Sequence, residues 1–249
     1  MLTDTHCHIY KEYYEDIDNL MKEIEKNGVN RVINNACSYL SCLEVLELSK
    51  KYNNMYCVLG LHPGENLDDI DNVMKLLNEN LNNNKVIGIG EIGLDYYYTK
   101  ENKEEQINVL KRQLEFAEKN SLPVVIHSRE ATGDMLEILK CYKIKGIIHC
   151  FNGSVEVARE YIKMGYKLGI KGVVTFKNCK LIDIIKEIGV EDLVFETDSP
   201  YLTPVPFRSH KNNPSYTNYV VDFIAENMGI SREELIEISN RNIKDIFDI

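Results

Sequence analysis

No uninterrupted apolar run in this chain approaches the ~18–20 residues that a membrane-spanning helix needs, which excludes a helical membrane span. The N-terminus lacks the apolar core of a secretory signal, because Asp4 and His6 interrupt it, and a cytoplasmic protein is expected. Basic charge is scarce: 29 Lys and Arg stand against 39 Asp and Glu, a net charge of −10. Proteins that grip long duplex DNA through its phosphates are usually basic, so this chain should not coat nucleic acid. An anionic substrate then requires positive charge concentrated at one place. No CxxC pair occurs, and the seven cysteines are odd in number and scattered. That argues against a disulfide framework or a four-cysteine zinc site and leaves buried free thiols. No repeat of about 20–50 residues and no low-complexity linker divides the chain, so a single domain over 1–249 is expected.

What is present is a rhythm. Eight short apolar, β-branched runs alternate with stretches of helical spacing: Leu2–Cys7, Val29–Cys37, Met55–Leu61, Val86–Leu94, Pro123–His127, Gly146–Phe151, Lys167–Ile170 and Leu193–Glu196. Between them, Glu12–Asn27 reads as a helix stopped by Gly28. Lys103–Asn120 carries Ile107, Leu110, Leu114 and Ala117 on one helical face. Ser231 to Glu234 opens a C-terminal helix with a capping-box pattern. Near-continuous apolar strands alternating with helices predict a parallel sheet covered by helices. Eight such units fit a single (β/α)8 TIM barrel, with a doubly wound open sheet as the alternative. Four of the six prolines fall between Pro200 and Pro214, a stiff loop carrying Arg208, His210 and Lys211. His210 there reads as a surface residue.

Gly88 to Gly93, GIGEIG, matches the dinucleotide fingerprint GxGxxG, but its context does not. The glycines lie inside an apolar run, and helical spacing resumes only near Lys103. Glycines that let neighbours approach the sheet closely are the better reading.

The stretch LTDTHCHIY, residues 2–10, puts His6 and His8 two apart. On a strand they face one side, and Cys7 faces the helix layer. Alone, that pattern is weak evidence for a metal. The rest of the chain changes the weighting. His62, Glu91, His127, His149 and Asp198 all fall where an apolar run gives way to a loop. In a parallel barrel those ends share the face on which active sites are built. Four histidines (His6, His8, His127, His149) with Glu91 and Asp198 exceed the three protein ligands of one catalytic zinc. Two divalent ions fit better, and two ions ~3.5–4 Å apart need a bridge, for which Glu91 is the central candidate.

The motifs DTHCH, GLHPG, GEIGLDYY, VIHSRE, HCFNGS and ETDSPYL together resemble the TatD family of metal-dependent nucleases in the amidohydrolase superfamily. The resemblance runs from Asp4 to Pro214. It implies a (β/α)8 barrel and metal-dependent hydrolysis of phosphodiesters, with 3′-to-5′ exonuclease activity on single-stranded DNA and RNA as a further candidate. Carried over by position, it implies one metal on His6, His8, Glu91 and Asp198, and a second on Glu91, His127 and His149. It puts His62 beside the metals and turns Arg129 and Arg208 to phosphate. Where the family often has Arg-Asn-Glu-Pro, this chain has Lys211-Asn212-Asn213-Pro214, which keeps charge at Lys211 but loses the bidentate fork of arginine.

Bound divalent ions lower the pKa of water and draw charge from the phosphorus oxygens. Asp198 is then ligand, general base, or both. Two ions against two carboxylates leave a local positive charge, which suits strand ends or short single strands. Asp4 and Glu196 each read as a partner orienting a histidine or as a buried hydrogen-bonded carboxylate. Asp95 reads as steadying an arginine or substrate, or as a loop cap. Tyr96 to Tyr98 either stack a base or pack under a loop. Cys150, after His149 on a strand, should point outward. Histidine-rich ligation favours zinc or manganese, while the resemblance also admits magnesium. The competing functions are an amide, lactone or ester hydrolase of the same superfamily and a non-catalytic metal-bearing scaffold. No stable protein partner is expected, and the acidic surface favours a monomer.

Overall fold

The structure is a computed structural model and describes residues 1–97 and 101–249. In chain order the elements are β1 (Leu2–Cys7), α1 (Ile17–Lys26), β2 (Val29–Asn35), α2 (Tyr39–Lys51), β3 (Met55–Leu59), α3 (Ile70–Glu79), β4 (Val86–Asp95) and α4 (Lys103–Asn120). There follow β5 (Val124–Arg129), α5 (Thr132–Leu139), β6 (Gly146–Ile148), α6 (Val155–Lys163), β7 (Tyr166–Ile170), α7 (Leu181–Ile188), β8 (Leu193–Phe195), α8 (Thr217–Met228) and α9 (Arg232–Phe247). The strands lie side by side in chain order, each parallel to the next. The seam between β8 and β1 closes where Asp198 N donates to His6 O at 2.8 Å and His8 N donates to Ser199 O at 2.8 Å. Such closure makes the sheet a (β/α)8 barrel and rules out the open doubly wound alternative.

All eight runs become strands; β2, β3, β6 and β8 stop short of their apolar stretch, and β4, β5 and β7 exceed theirs by one residue. The first helix begins at Ile17 rather than Glu12, because Asp16 caps it by accepting from Asn19 N at 2.9 Å. Ser231 caps α9 by accepting from Glu234 N at 3.1 Å. Among the described residues, no helix is long and apolar enough to cross a membrane.

The interior is divided. Strand residues facing outward join the helices in one large core. Inward-facing Ile33, Val58, Ile87, Val125, Ile147 and Val194 form a second, smaller core with Ile243, Ile246 and Phe247 of α9. The C-terminal helix therefore plugs the floor of the barrel, which leaves only the opposite mouth for polar side chains. Asp4 helps hold the seam below that mouth: its Oδ1 accepts from His6 N at 3.1 Å and Thr197 N at 3.0 Å, and its Oδ2 from Thr197 Oγ1 at 2.5 Å. Of its two readings, the hydrogen-bonded buried carboxylate is the observed one. Burial pushes this carboxyl up to about 8, against those hydrogen bonds.

The glycine run in β4 serves close approach. A Cβ on Gly90 would lie 2.7 Å from Val125 Cβ, and one on Gly93 would lie 1.9 Å from His127 O. The β4–β5 register also shifts between Ile89 and Ile92, around Glu91, as bulges do beside active sites. Gly93→Ala should therefore cost about 3 kcal/mol or more in urea unfolding. Gly28→Ala, at φ 80 with open space around it, should cost only about 1 kcal/mol. Equal costs would refute this account of β4.

Candidate metal centre

Strand ends of a parallel barrel converge, and here they bring two buried carboxylates among five imidazoles. Glu91 stands at the centre with its two oxygens turned to different partners. Oε2 is 3.2 Å from His6 Nε2 and 3.6 Å from His8 Nε2. Oε1 is 2.9 Å from His127 Nδ1, 3.6 Å from His62 Nε2 and 3.9 Å from His149 Nε2. Asp198 Oδ1 lies 3.4, 3.7 and 3.9 Å from Nε2 of His8, His149 and His6. His6 Nε2 and His8 Nε2 are 3.2 Å apart, and the His6 and His149 rings stack with centroids at 3.5 Å.

Neighbouring hydrogen-bond partners decide which nitrogen of His8, His127 and His62 carries its proton. His8 Nδ1 lies 3.0 Å from Asn35 O, so it donates there and leaves the Nε2 lone pair facing the cage. His149 Nδ1 lies 2.9 Å from Glu196 Oε1, which also accepts from Cys150 N at 2.7 Å. His127 Nε2 lies 3.1 Å from Asp95 Oδ2, which leaves Nδ1 toward Glu91. His62 is the opposite case. Its Nδ1 accepts from Gly64 N at 3.0 Å, so its Nε2 bears the proton and offers the cage an N–H rather than a lone pair. Lone pairs and carboxylate oxygens at such separations repel unless protons or cations lie among them. This donor set, hard oxygens mixed with imidazole nitrogens, fits divalent metal ions. His6, His8 and Asp198 bring candidate ligand atoms within 4.8 Å of one another, as do His8, Cys37 and Glu91.

The protonation directions follow from these contacts. Burial raises the Glu91 carboxyl, but His6, His62, His149 and His127 together hold it well below the carboxylate range. Burial likewise opposes ionisation of Asp198, and Lys171 with the histidines holds it well below that range. Burial, with His149 beside it, takes His6 down to about 4, and burial takes His62 down to about 3. His127 resists burial because Asp95 and Glu91 both bond it, and it rises to about 9.

Two residues at the cage escape the sequence reading. Lys171, just past β7 and 5 % exposed, donates from Nζ to Asp198 Oδ2 at 2.6 Å. Cys37, two residues past β2, has Sγ 3.7 Å from both His8 Nδ1 and Glu91 Oε2. Both lie just past strands, β2 and β7, that carry no histidine but end at the same mouth, and that position was their available signal. Asp95 fills a role between its two readings: it holds His127, and it caps the loop by accepting from Tyr97 N at 2.9 Å. Glu196 stands against His149 Nδ1 and is bonded in turn by Cys150 N. Cys150 departs from expectation, because β6 ends at Ile148 and Cys150 turns to φ 50 in the loop.

The cations reading as phosphate contacts lie around the rim, not in the cage. The Arg129 guanidinium lies 3.7 Å from the centroid of the exposed Tyr97 ring. Arg208 lies 3.8 Å over Phe176, and its NH1 is 3.4 Å from Thr203 O. Lys211 donates from Nζ to Tyr13 O, and His210 is exposed. Tyr96 packs under the loop, its hydroxyl 2.8 Å from Asp134 Oδ2, while Tyr98 lies outside the described residues.

Comparison with known proteins agrees with this geometry. A family model described as TatD related DNase matches residues 3–248. The uncharacterized metal-dependent hydrolase YabD of Bacillus subtilis is 38% identical, covering 100% of both chains. The uncharacterized metal-dependent hydrolase YcfH of Escherichia coli K12 is 31% identical over 100% of this chain and 96% of its own. The crystal structure of YjjV, a TatD homolog from Escherichia coli K12, superposes with a TM-score of 0.91 at 28% identity, covering 100% of this chain and 98% of that one.

Isothermal titration with zinc or manganese should separate His8 from His62. His8→Ala should weaken binding at least about tenfold, and His62→Ala should leave it nearly unchanged; equal losses would contradict the tautomers above. Lys171→Met should lower the stability of the metal-stripped protein by about 3 kcal/mol, because it strands the buried Asp198 charge. Added divalent ion should restore much of that loss in thermal melts, and a variant as stable as the parent would remove Lys171 from the account.

Proposed function

The chain belongs to the family of TatD-related DNases, and on that footing we propose that it is a metal-dependent deoxyribonuclease that removes nucleotides from the 3′ ends of single-stranded DNA. The observation that carries this reading is the divided carboxylate of Glu91, one oxygen toward His6 and His8 and the other toward His127 and His149. On this reading two divalent ions, zinc, manganese or magnesium, are held by His6, His8, Glu91 and Asp198 and by Glu91, His127 and His149. Such ions supply a hydroxide at neutral pH and neutralise charge on the phosphorus oxygens.

The chain's own groups do the rest. Asp198 Oδ1 faces the cage and takes the proton of the attacking water. Lys171 occupies Oδ2 and keeps the carboxylate ionised and correctly turned. Asp95 holds the ring of His127 in one tautomer, and Glu196 faces Nδ1 of His149. His62 presents its N–H beside the reacting phosphate. Arg129 and Arg208 at the rim attract the strand, with Lys211 behind them. The whole chain, 1–249, acts as one hydrolase domain.

The test is hydrolysis of a 5′-labelled single strand by metal-stripped and reloaded protein. Reloaded protein should shorten the strand stepwise from its 3′ end, and stripped protein should not. Asp198→Asn should lower kcat by about 10²–10⁴. Turnover of a dihydropyrimidine or a lactone without release of nucleotides would replace this reading with that of the other barrel hydrolases.

A further inference from the structure

A cleft of about 600 Å³ is lined by segments that follow β6, β7 and β8. Its wall includes Asn152, three residues after His149, then Phe176, Lys177 and Lys180 from the segment after β7, and Arg208 from the loop after β8. The same three loops carry His149, Lys171 and Asp198, which puts the cleft on the mouth side of the barrel. Its walls are tied together: Val205 N donates to Thr175 Oγ1 at 2.9 Å, and the Arg208 guanidinium lies 3.8 Å over the Phe176 ring.

The lining chemistry runs against the composition of the chain. Acidic residues outnumber basic ones 39 to 29, yet no carboxylate lines the cleft among the described residues, and three cations do. The volume lies within the ~300–1,000 Å³ of ordinary ligand sites. Two ammonium groups suit a phosphate, and a guanidinium plane backed by an aromatic ring suits a stacked base. We propose that this cleft is the subsite for the nucleotide next to the scissile phosphodiester, with its phosphate on Lys177 and Lys180 and its base against Arg208. The inference rests on the nuclease reading, and it extends the contacts to residues that no motif marked.

Two substrates and one binding measurement separate the claims. Bis(4-nitrophenyl) phosphate is a diester too small to need the cleft, and a single-stranded oligonucleotide fills it. The Lys177→Ala/Lys180→Ala variant should raise KM for the oligonucleotide about tenfold while kcat stays within about twofold. Its turnover of the small diester should be unchanged. Fluorescence anisotropy of a labelled strand on metal-stripped protein should show weaker binding, with the salt slope reduced by about 1.4, from ~0.7 per lost contact on a single strand. Lys177→Arg/Lys180→Arg should restore both, and Lys22→Ala/Lys26→Ala on α1 should change neither. Unchanged KM and salt slope, or an equal effect from the α1 variant, overturns the subsite. If the parent cleaves neither diester, the nuclease reading fails, and the anisotropy series still decides whether the cleft binds a strand.

Discussion

The structure turns on one buried carboxylate. Glu91 is 3 % exposed, its two oxygens face five imidazoles, and its charge has no access to bulk water. A carboxylate so placed is strongly penalised by desolvation unless positive charge stands close by. Without metal, His127 between Glu91 and Asp95 supplies part of that charge as imidazolium, and Lys171 does the same for Asp198. The two counterions differ. A proton on His127 is displaceable by a cation with a lone-pair demand, and the Lys171 ammonium stays. The cage thus has one fixed positive group, Lys171, beside imidazoles that burial and the neighbouring carboxylates pull in opposite directions.

The fold supports that charge arrangement by separating polar from apolar interior. The floor of the barrel is sealed by Ile243, Ile246 and Phe247 of α9 against six inward-facing strand residues. Water therefore reaches the interior only from the mouth, where the strand ends carry ligand-type side chains. Below them Asp4 and Thr197 fasten β1 to the end of β8, so His6, His8 and Asp198 share one hydrogen-bonded seam. Asn35 O, Asp95 and Gly64 N bond the rings of His8, His127 and His62 before any ion arrives. Such preorganisation spares the site the entropy of ordering its ligands.

Much of this was legible in the chain because two periodicities do not overlap. Alternating apolar runs and helical stretches mark eight strands, and Lys103–Asn120 is a helix over the whole predicted span. Histidines and carboxylates at strand ends pointed to one mouth because a parallel barrel gathers those ends. What escaped depends on three-dimensional neighbours. Ile243, Ile246 and Phe247 look like any apolar helix face, and nothing local says that the face meets the barrel floor instead of its flank. Lys171 in LGIKGVV looks like a charge after a strand; its pairing with Asp198 spans 27 residues. Asp95 lies four residues beyond Glu91, and only the β4–β5 pairing of Asp95 with Arg129 brings it beside His127.

Net charge and local charge answer separate questions here. With a net charge of −10, the surface as a whole repels a polyanion. Screening confines that repulsion to about 8–10 Å at ordinary salt, so it acts on the approach of a long duplex along the surface more than on one end entering a cleft. Among the groups that oppose it, Arg129 ends β5, and Lys177, Lys180 and Arg208 belong to the loops after β7 and β8 on the mouth side. On the nuclease reading, the same charge distribution that makes the chain a poor duplex binder selects for strand ends.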